Sequence, residues 1–224
     1  MQFRFADSTL QFKGFNYLQG TAEEINNIQA LIRKQGLSVN TFSGFEATEE
    51  AFKLIGLNSK PPRILHLATH GFFFPDQKNK NDGRLAENDQ PVFKMSDHPM
   101  IRSGLIMAGG NQAWKSVIPN NSRMEDGILT AYEISQSNLR GTELVVLSAC
   151  ETGLGEIKSN EGVYGLQRAF KIAGVRYLMM SLWSVPDQAT QEFMTLFYQK
   201  WLSEKLLLPD AFRNTQLDLS LIHI

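Results

Sequence analysis

The chain has 224 residues, of which 42% are hydrophobic and 20% charged, with a formal net charge of −1. This composition is typical of a globular protein with a sizeable buried core. The near-neutral charge excludes a general electrostatic attraction to nucleic acid or to an anionic membrane, and no apolar run approaches the roughly 20 residues that cross a bilayer. The single cysteine, Cys150, excludes an internal disulfide and favours the reducing cytoplasm.

Strand and helix patterns alternate along the chain. Thr21 to Glu24 has the spacing of a capping box, and apolar residues at helical spacing follow it as far as Gly36. Further helices are predicted over residues 48–55, 128–135 and 163–173 and from Asp187 onward. Strands are predicted over residues 37–42, 63–69, 101–107, 143–149 and 176–182. Strands joined by helical crossovers predict an α/β fold with a mainly parallel sheet covered by helices.

Residues 72–99 interrupt this pattern with a long polar stretch. Loops of that length in compact domains are usually functional or disordered. Its first three residues, Phe72, Phe73 and Phe74, are apolar, so they are expected either to dock on the domain or to form part of a substrate groove. We expect the stretch from Phe72 to Pro99 to control access to a neighbouring site; an insertion without a role is the alternative.

His70 and Cys150 each follow a predicted buried strand by one residue. Sites in parallel sheets form at the carboxyl ends of the strands, and neighbouring strands lie about 4.8 Å apart. The two side chains can therefore act together, the thiolate as nucleophile and the imidazole as base. Gly71 can bring its amide close to an oxyanion without a side chain in the way. The competing interpretation is an inert buried cysteine and a structural histidine.

Metal and nucleotide chemistry have weaker signals. His66 and His70 are four residues apart, which on a strand is about 13 Å, too far to share one zinc ion. Gly153-Leu-Gly155 follows a strand but lacks the third glycine of a dinucleotide-binding fingerprint. We therefore expect no metal and no cofactor.

Several segments together resemble CHAT domains, which are caspase-like peptidases of the clan of caspase, separase, legumain and gingipain. The two segments nearest the candidate dyad are His66-Leu-Ala-Thr-His70-Gly71 and Leu147-Ser-Ala-Cys150-Glu-Thr-Gly153. The other similar segments follow in order: Thr21 to Glu24, Arg102 to Leu105, Asp126 to Ala131, Gly162 to Gly174 and Ser181 to Asp187. The resemblance covers roughly residues 19–217.

The resemblance implies a caspase-like three-layer sandwich, with His70 and Cys150 as the catalytic residues of a cysteine endopeptidase. We expect the amides of Gly71 and Cys150 to form the oxyanion hole, and we assign no third catalytic residue. We expect one CHAT domain over residues 1–224. The tetratricopeptide repeats and the final aromatic-containing strand common in the family have no match here, so the alternative is a fragment truncated at both ends.

Three carboxylates are candidates for substrate selection: Glu151 beside the nucleophile, Asp187 after the next strand, and Asp126. They would favour a basic residue before the scissile bond; capping of a helix by Asp187 and solvation of Glu151 are the alternatives. We expect a protein substrate and an activating signal from a regulatory partner or from tetratricopeptide-type repeats, with no nucleic acid or membrane contact. A catalytically idle scaffold used for binding is the alternative function.

Overall fold

The computed structural model describes residues 14–57, 59–74, 98–114, 125–148, 162–181 and 185–222. The chain divides into two compact units. The first contains residues 1–16 and 42–184, and the second contains residues 17–41 and 185–224. The prediction of a single domain over residues 1–224 stays a prediction, and each unit is described by itself below.

Helices and strands alternate through the described part of the chain. In chain order the elements are α1 (Gln19–Lys34), a 3-10 turn (Gly44–Glu46), α2 (Glu49–Lys53), β1 (Ile64–Leu67), β2 (Gly71–Phe73), β3 (Ser103–Ile106), α3 (Gly110–Trp114), β4 (Ile128–Thr130), α4 (Ala131–Gln136), β5 (Leu144–Leu147), α5 (Gly162–Ile172), β6 (Tyr177–Met180), α6 (Asp187–Tyr198), a π-helix (Gln199–Ser203) and α7 (Leu208–Ile222).

A parallel sheet in the order β1-β5-β6 forms the centre of the first unit. Leu67 of β1 pairs with Leu147 of β5, which pairs in turn with Met180 of β6. All four residues of β5 are buried, because a central strand has neighbours on both edges and helices against its faces. The parallel sheet is flanked by helices, and this arrangement confirms the predicted α/β sandwich.

A second, antiparallel sheet in the order β2-β3-β4 lies in the same unit. Gly71 pairs with Leu105, and Leu105 pairs with Leu129. The interpretation of Phe72 and Phe73 as the start of a loop was therefore wrong, because both residues belong to β2. The remainder of that predicted loop, residues 75–97, lies outside the described residues.

Three local predictions were also wrong. The helix predicted from residue 128 begins at Ala131, because residues 128–130 pair with β3. Thr21 does not cap α1: it lies inside the first turn, and its hydroxyl donates to the Leu18 carbonyl at 2.7 Å. Residues 37–42, all of them described, form no strand. Leu37 and Phe42 are exposed there, and β-propensity without a neighbouring strand does not make a sheet.

The second unit is helical in its described part. Its buried aromatic side chains include Phe197, Tyr198 and Trp201, and the ring of Phe197 stacks on that of Trp201 with centroids 5.9 Å apart. Lys200 pairs with Asp218 of α7 at 2.8 Å. Among the helices that the structure describes in either unit, none is long and apolar enough to cross a membrane.

Candidate active site

Two hydrogen bonds join Thr69 and His70 to Ile106 of β3. The Thr69 hydroxyl donates a hydrogen bond to the Ile106 carbonyl, and the Ile106 amide donates to the His70 carbonyl at 2.8 Å. His70 is the last of the three residues that join β1 to β2. The imidazole therefore projects from a backbone that two sheets fix, at the carboxyl end of a parallel strand.

The His70 ring has one nitrogen engaged by the chain itself. Nε2 lies 2.7 Å from the main-chain oxygen of Asn16. A carbonyl oxygen only accepts hydrogen bonds, so Nε2 carries the hydrogen in this contact. In the neutral ring, Nδ1 is then the nitrogen that accepts a proton. This geometry holds the histidine in a tautomer suited to a general base.

An aromatic cluster lies beside the His70 ring. The Phe15 ring is 4.9 Å from the His70 ring and 4.6 Å from the Trp114 ring, between centroids. Trp114 is 4% exposed and lies 5.5 Å from the rings of both Phe72 and Phe74. Phe72 and Phe74 therefore dock against the domain. Docking was one of the two alternatives that the sequence left open for these residues.

Asn111 holds the segment that reaches His70. Its Oδ1 accepts a hydrogen bond from the Phe15 amide at 2.7 Å, and its Nδ2 donates to the Phe15 carbonyl at 2.9 Å. Sequence analysis missed Phe15, Asn16 and Asn111 as parts of this site. Asn111 follows two glycines after a strand, a pattern without catalytic meaning, and it lies 96 positions from Phe15.

The amide of Gly71 faces away from β3. Hydrogen bonds join His70 with Ile106 and Phe74 with Arg102, and hydrogen-bonded pairs alternate along an antiparallel ladder. The pair Gly71–Leu105 is therefore one of the pairs without direct hydrogen bonds. β2 is an edge strand among the described strands, so the Gly71 amide points to the side that β3 does not use.

The remaining predicted site residues are described only in part. Cys150 and Glu151 lie outside the described residues, as does the side chain of Asp187, which is the first residue of α6 in the second unit. The last described residue before Cys150 is Ser148, whose amide donates to the Leu67 carbonyl at 3.0 Å. The proximity of His70 to Cys150 stays a prediction.

Asp126 is described in full and lies at the surface. Its Oδ1 accepts a hydrogen bond from the Ile128 amide at 2.8 Å, in the manner of an aspartate that closes a short turn. Partial desolvation raises the pKa of Asp126, while the Ile128 amide opposes that rise. One carboxylate oxygen of this candidate thus serves local structure.

A second ionisable cluster in the first unit has the spacing that a metal would need. Carboxylate oxygens of Glu49, Glu125 and Glu133 lie within 4.8 Å of one another. The Lys53 ammonium contacts all three, at 2.7, 2.9 and 3.0 Å respectively. The positive charge among these carboxylates is therefore supplied by the Lys53 side chain.

Burial and pairing shift the pKa values in this cluster in opposite directions. Glu49 is 1% exposed, and burial raises its pKa from 4.5 to about 7 against the opposing effect of Lys53. Burial also disfavours the charged form of Glu133, but hydrogen bonds from Thr130 and Lys53 outweigh it and lower the pKa. Desolvation of Lys53 is outweighed by its carboxylate partners, so its pKa is raised.

The cluster is joined to α3 through two glycines. Glu49 Oε2 accepts a hydrogen bond from the Gly127 amide at 2.9 Å. A Cβ on Gly127 would lie 2.4 Å from the nitrogen of Gly110, the first residue of α3. Only the absence of a side chain allows this approach, and it fixes the start of the helix that carries Asn111.

Comparison with known proteins finds a family whose model matches most of the chain. The family model described as the CHAT domain matches residues 3–221. A stretch of 76 residues, 34% of this chain, is 34% identical to mouse (Mus musculus) tetratricopeptide repeat protein 28. A stretch of 80 residues, 36% of the chain, is 32% identical to the human (Homo sapiens) protein of the same name. The chain spans about 3% of the length of each of these relatives. No solved structure matches it.

Proposed function

The chain belongs to the CHAT domain family, and on this premise we propose that it is a cysteine endopeptidase with Cys150 as nucleophile and His70 as base. The observation that carries the proposal is the contact between His70 Nε2 and the Asn16 carbonyl at 2.7 Å. That contact leaves Nδ1 to accept the thiol proton.

The sheet supports the pairing of these two residues. β1 and β5 are parallel neighbours, so the carboxyl ends of both strands lie at the same edge of the sheet. Cys150 comes two residues after Ser148, and two trans peptides span at most about 7.6 Å between Cα atoms. This short separation along the chain supports the proposed pairing of Cys150 with His70.

The reaction proceeds in two halves. Nδ1 of His70 takes the Cys150 proton, and the thiolate attacks the scissile carbonyl carbon to form a tetrahedral oxyanion. The amides of Gly71 and Cys150 donate hydrogen bonds to that oxyanion. The intermediate collapses to a thioester as the leaving amine takes the proton from His70. In the second half, His70 takes a proton from water as the water oxygen attacks the thioester carbon. The C–S bond then breaks, the acid leaves, and the thiolate of Cys150 takes the proton back from His70.

A peptide library tests this proposal. The purified chain should cleave a subset of peptides, and Cys150→Ala should abolish that cleavage without changing the circular dichroism spectrum. Because Cys150 is the single cysteine, a peptide electrophile should add one label to the chain by mass. Cleavage that survives in Cys150→Ala would contradict the assignment. A folded chain that neither cleaves nor takes the label would support the idle scaffold instead.

Substrate selection is proposed to favour a basic residue before the scissile bond. The candidates are Glu151, Asp187 and Asp126, and the support is the exposed carboxylate of Asp126 in the first unit. Glutamine or asparagine at each position, tested separately on the same library, should weaken cleavage after Arg or Lys. A profile dominated by acidic or apolar residues in the unaltered chain would contradict the proposal.

Activation is proposed to come from a protein partner, in the reducing cytoplasm where a free thiol persists. The support is the similarity to two proteins named for tetratricopeptide repeats, and such repeats are the proposed source of the signal. Residues between Phe74 and His98 follow β2 directly and are proposed as the gate. Deletion of Lys78 to Asn88 should change basal or partner-stimulated cleavage; unchanged rates in both assays would exclude a gate.

A further inference from the structure

The side chain of Asn111 makes an unusual pair of contacts for an exposed amide. It bonds to the N–H and to the C=O of one residue, Phe15, at 2.7 and 2.9 Å. This is the hydrogen-bond pattern that a neighbouring strand would offer one residue of an extended chain. Residues 14–18 belong to no helix or strand, so the amide of Asn111 acts here as a substitute for a ladder.

The next carbonyl along the held segment is the one that reaches the imidazole. Asn16 O lies 2.7 Å from His70 Nε2, one residue after the carbonyl that Asn111 binds. Asn16 directly follows Phe15 in the chain, so a main chain fixed at Phe15 also restricts where the Asn16 carbonyl can lie.

The same helix also supports the Phe15 ring. Trp114 of α3 lies 4.6 Å from Phe15 between ring centroids, and Phe15 lies 4.9 Å from His70. The start of α3 packs closely on Gly127. Both contacts between α3 and Phe15, one polar and one aromatic, thus originate from a fixed helix.

We propose that Asn111 is a positioning residue for the catalytic base: it clamps the Phe15 main chain so that the Asn16 carbonyl holds His70 with Nδ1 free to accept the thiol proton. The proposal rests on the proposed function, because it assigns a role toward the base of that reaction. Asn111 acts through the main chain of Phe15 and Asn16, because its side-chain hydrogen bonds go to Phe15 and the His70 contact is made by Asn16. Without the clamp, Nε2 loses its fixed acceptor, and the ring is free to rotate or to change tautomer.

The pH dependence of Cys150 alkylation by iodoacetamide reports this role without a known substrate. Thiolate is the reacting form, and a free thiol ionises near pH 8.5, whereas a thiol paired with an imidazole ionises at lower pH. His70→Ala is the reference for complete loss of the pair. It should lower the alkylation rate at pH 6.5 by about 10–50-fold, with rates converging near pH 9.5.

Two variants of Asn111 and one control variant of the adjacent residue Gln112 complete the experiment. Asn111→Ala and the similarly sized Asn111→Leu should each lower the rate at pH 6.5 by about 3–10-fold and move the profile toward that of His70→Ala. Gln112→Ala, an exposed change on the same helix, should leave the profile in place. Asn111 and Gln112 are exposed, and thermal melting checks that every variant, including His70→Ala, remains folded.

The outcomes separate the two proposals. If the unaltered chain and His70→Ala have the same profile, the proposed dyad and the positioning role both fail. If those two differ while both Asn111 variants follow the unaltered chain, the positioning role alone fails. If the Asn111 variants react faster at every pH without a shift of the midpoint, the Phe15–Asn16 segment obstructs the site, which also overturns the positioning role.

Discussion

His70 and Glu49 are ionisable side chains of the same unit, and they differ in how many of their polar atoms the protein binds. His70 has one ring nitrogen bound to a main-chain carbonyl. Glu49 is 1% exposed, with one oxygen on Lys53 and the other on the Gly127 amide. A group that performs proton transfer needs one atom that can reach the reacting proton. On this criterion His70 is a candidate catalytic group and Glu49 a structural one.

The largest effect is expected at His70. His70→Ala removes the proposed base and should lower peptide cleavage by about 10²–10⁴-fold. The matched control is His98→Ala, because His98 is exposed and its ring lies near Tyr132, with centroids 6.0 Å apart. Initial rates on a cleaved library peptide measure the effect. Equal losses in the two variants would remove the distinction between a catalytic and a structural histidine.

Lys53→Met should cause the largest loss of stability. It leaves three carboxylates within 4.8 Å of one another without their shared cation. We expect the free energy of unfolding to fall by about 2–4 kcal/mol at pH 8, somewhat less than for a fully buried pair because Lys53 is 29% exposed. Denaturant titration provides the measurement, with the exposed Lys60→Met as control. A loss no greater than that of the control would mean that the cluster is not structural.

The pH dependence of stability sharpens the account of Glu49. Because burial raises its pKa from 4.5 to about 7 in the folded state, the folded chain binds more protons than the unfolded chain between these values. The free energy of unfolding should therefore fall as pH rises through that window. We expect a total fall on the order of 1–2 kcal/mol across this window.

Glu49→Gln removes that titration and keeps an acceptor for the Gly127 amide. Its free energy of unfolding, from denaturant titrations at pH 5 and pH 8, should vary less with pH than that of the unaltered chain. The exposed Glu46→Gln serves as control and should keep the full slope. Parallel pH profiles for the Glu49 variant and the unaltered chain would show that Glu49 does not titrate in this range.

The smallest effect is expected at the helix cap that holds Glu133. Thr130 and Glu133 form a reciprocal capping box at the start of α4. Thr130→Ala should lower the free energy of unfolding by about 1 kcal/mol. Thr21→Ala is the informative control, because the sequence assigns a cap there that the structure lacks. A larger loss at Thr21 than at Thr130 would contradict the structural assignment.

The strands of the parallel sheet were predictable because their signal is local. Leu144 to Leu147 is an apolar run whose burial pattern matches a central strand. The antiparallel sheet was harder to detect. β2 and β4 have three residues each, too few for a period to emerge, and Ile128 and Leu129 suit a helix as well as a strand. Pairing with β3 decided their conformation.

The sequence alone determined the fold class, the resemblance to a family and the candidacy of His70, because each depends on residues close together in the chain. The tertiary structure decided what surrounds that histidine. Phe15 and Asn111 are 96 positions apart, and Lys53 is 80 positions from Glu133. No periodicity links such residues. Their contacts exist because the packed helices and strands bring distant segments within hydrogen-bond distance.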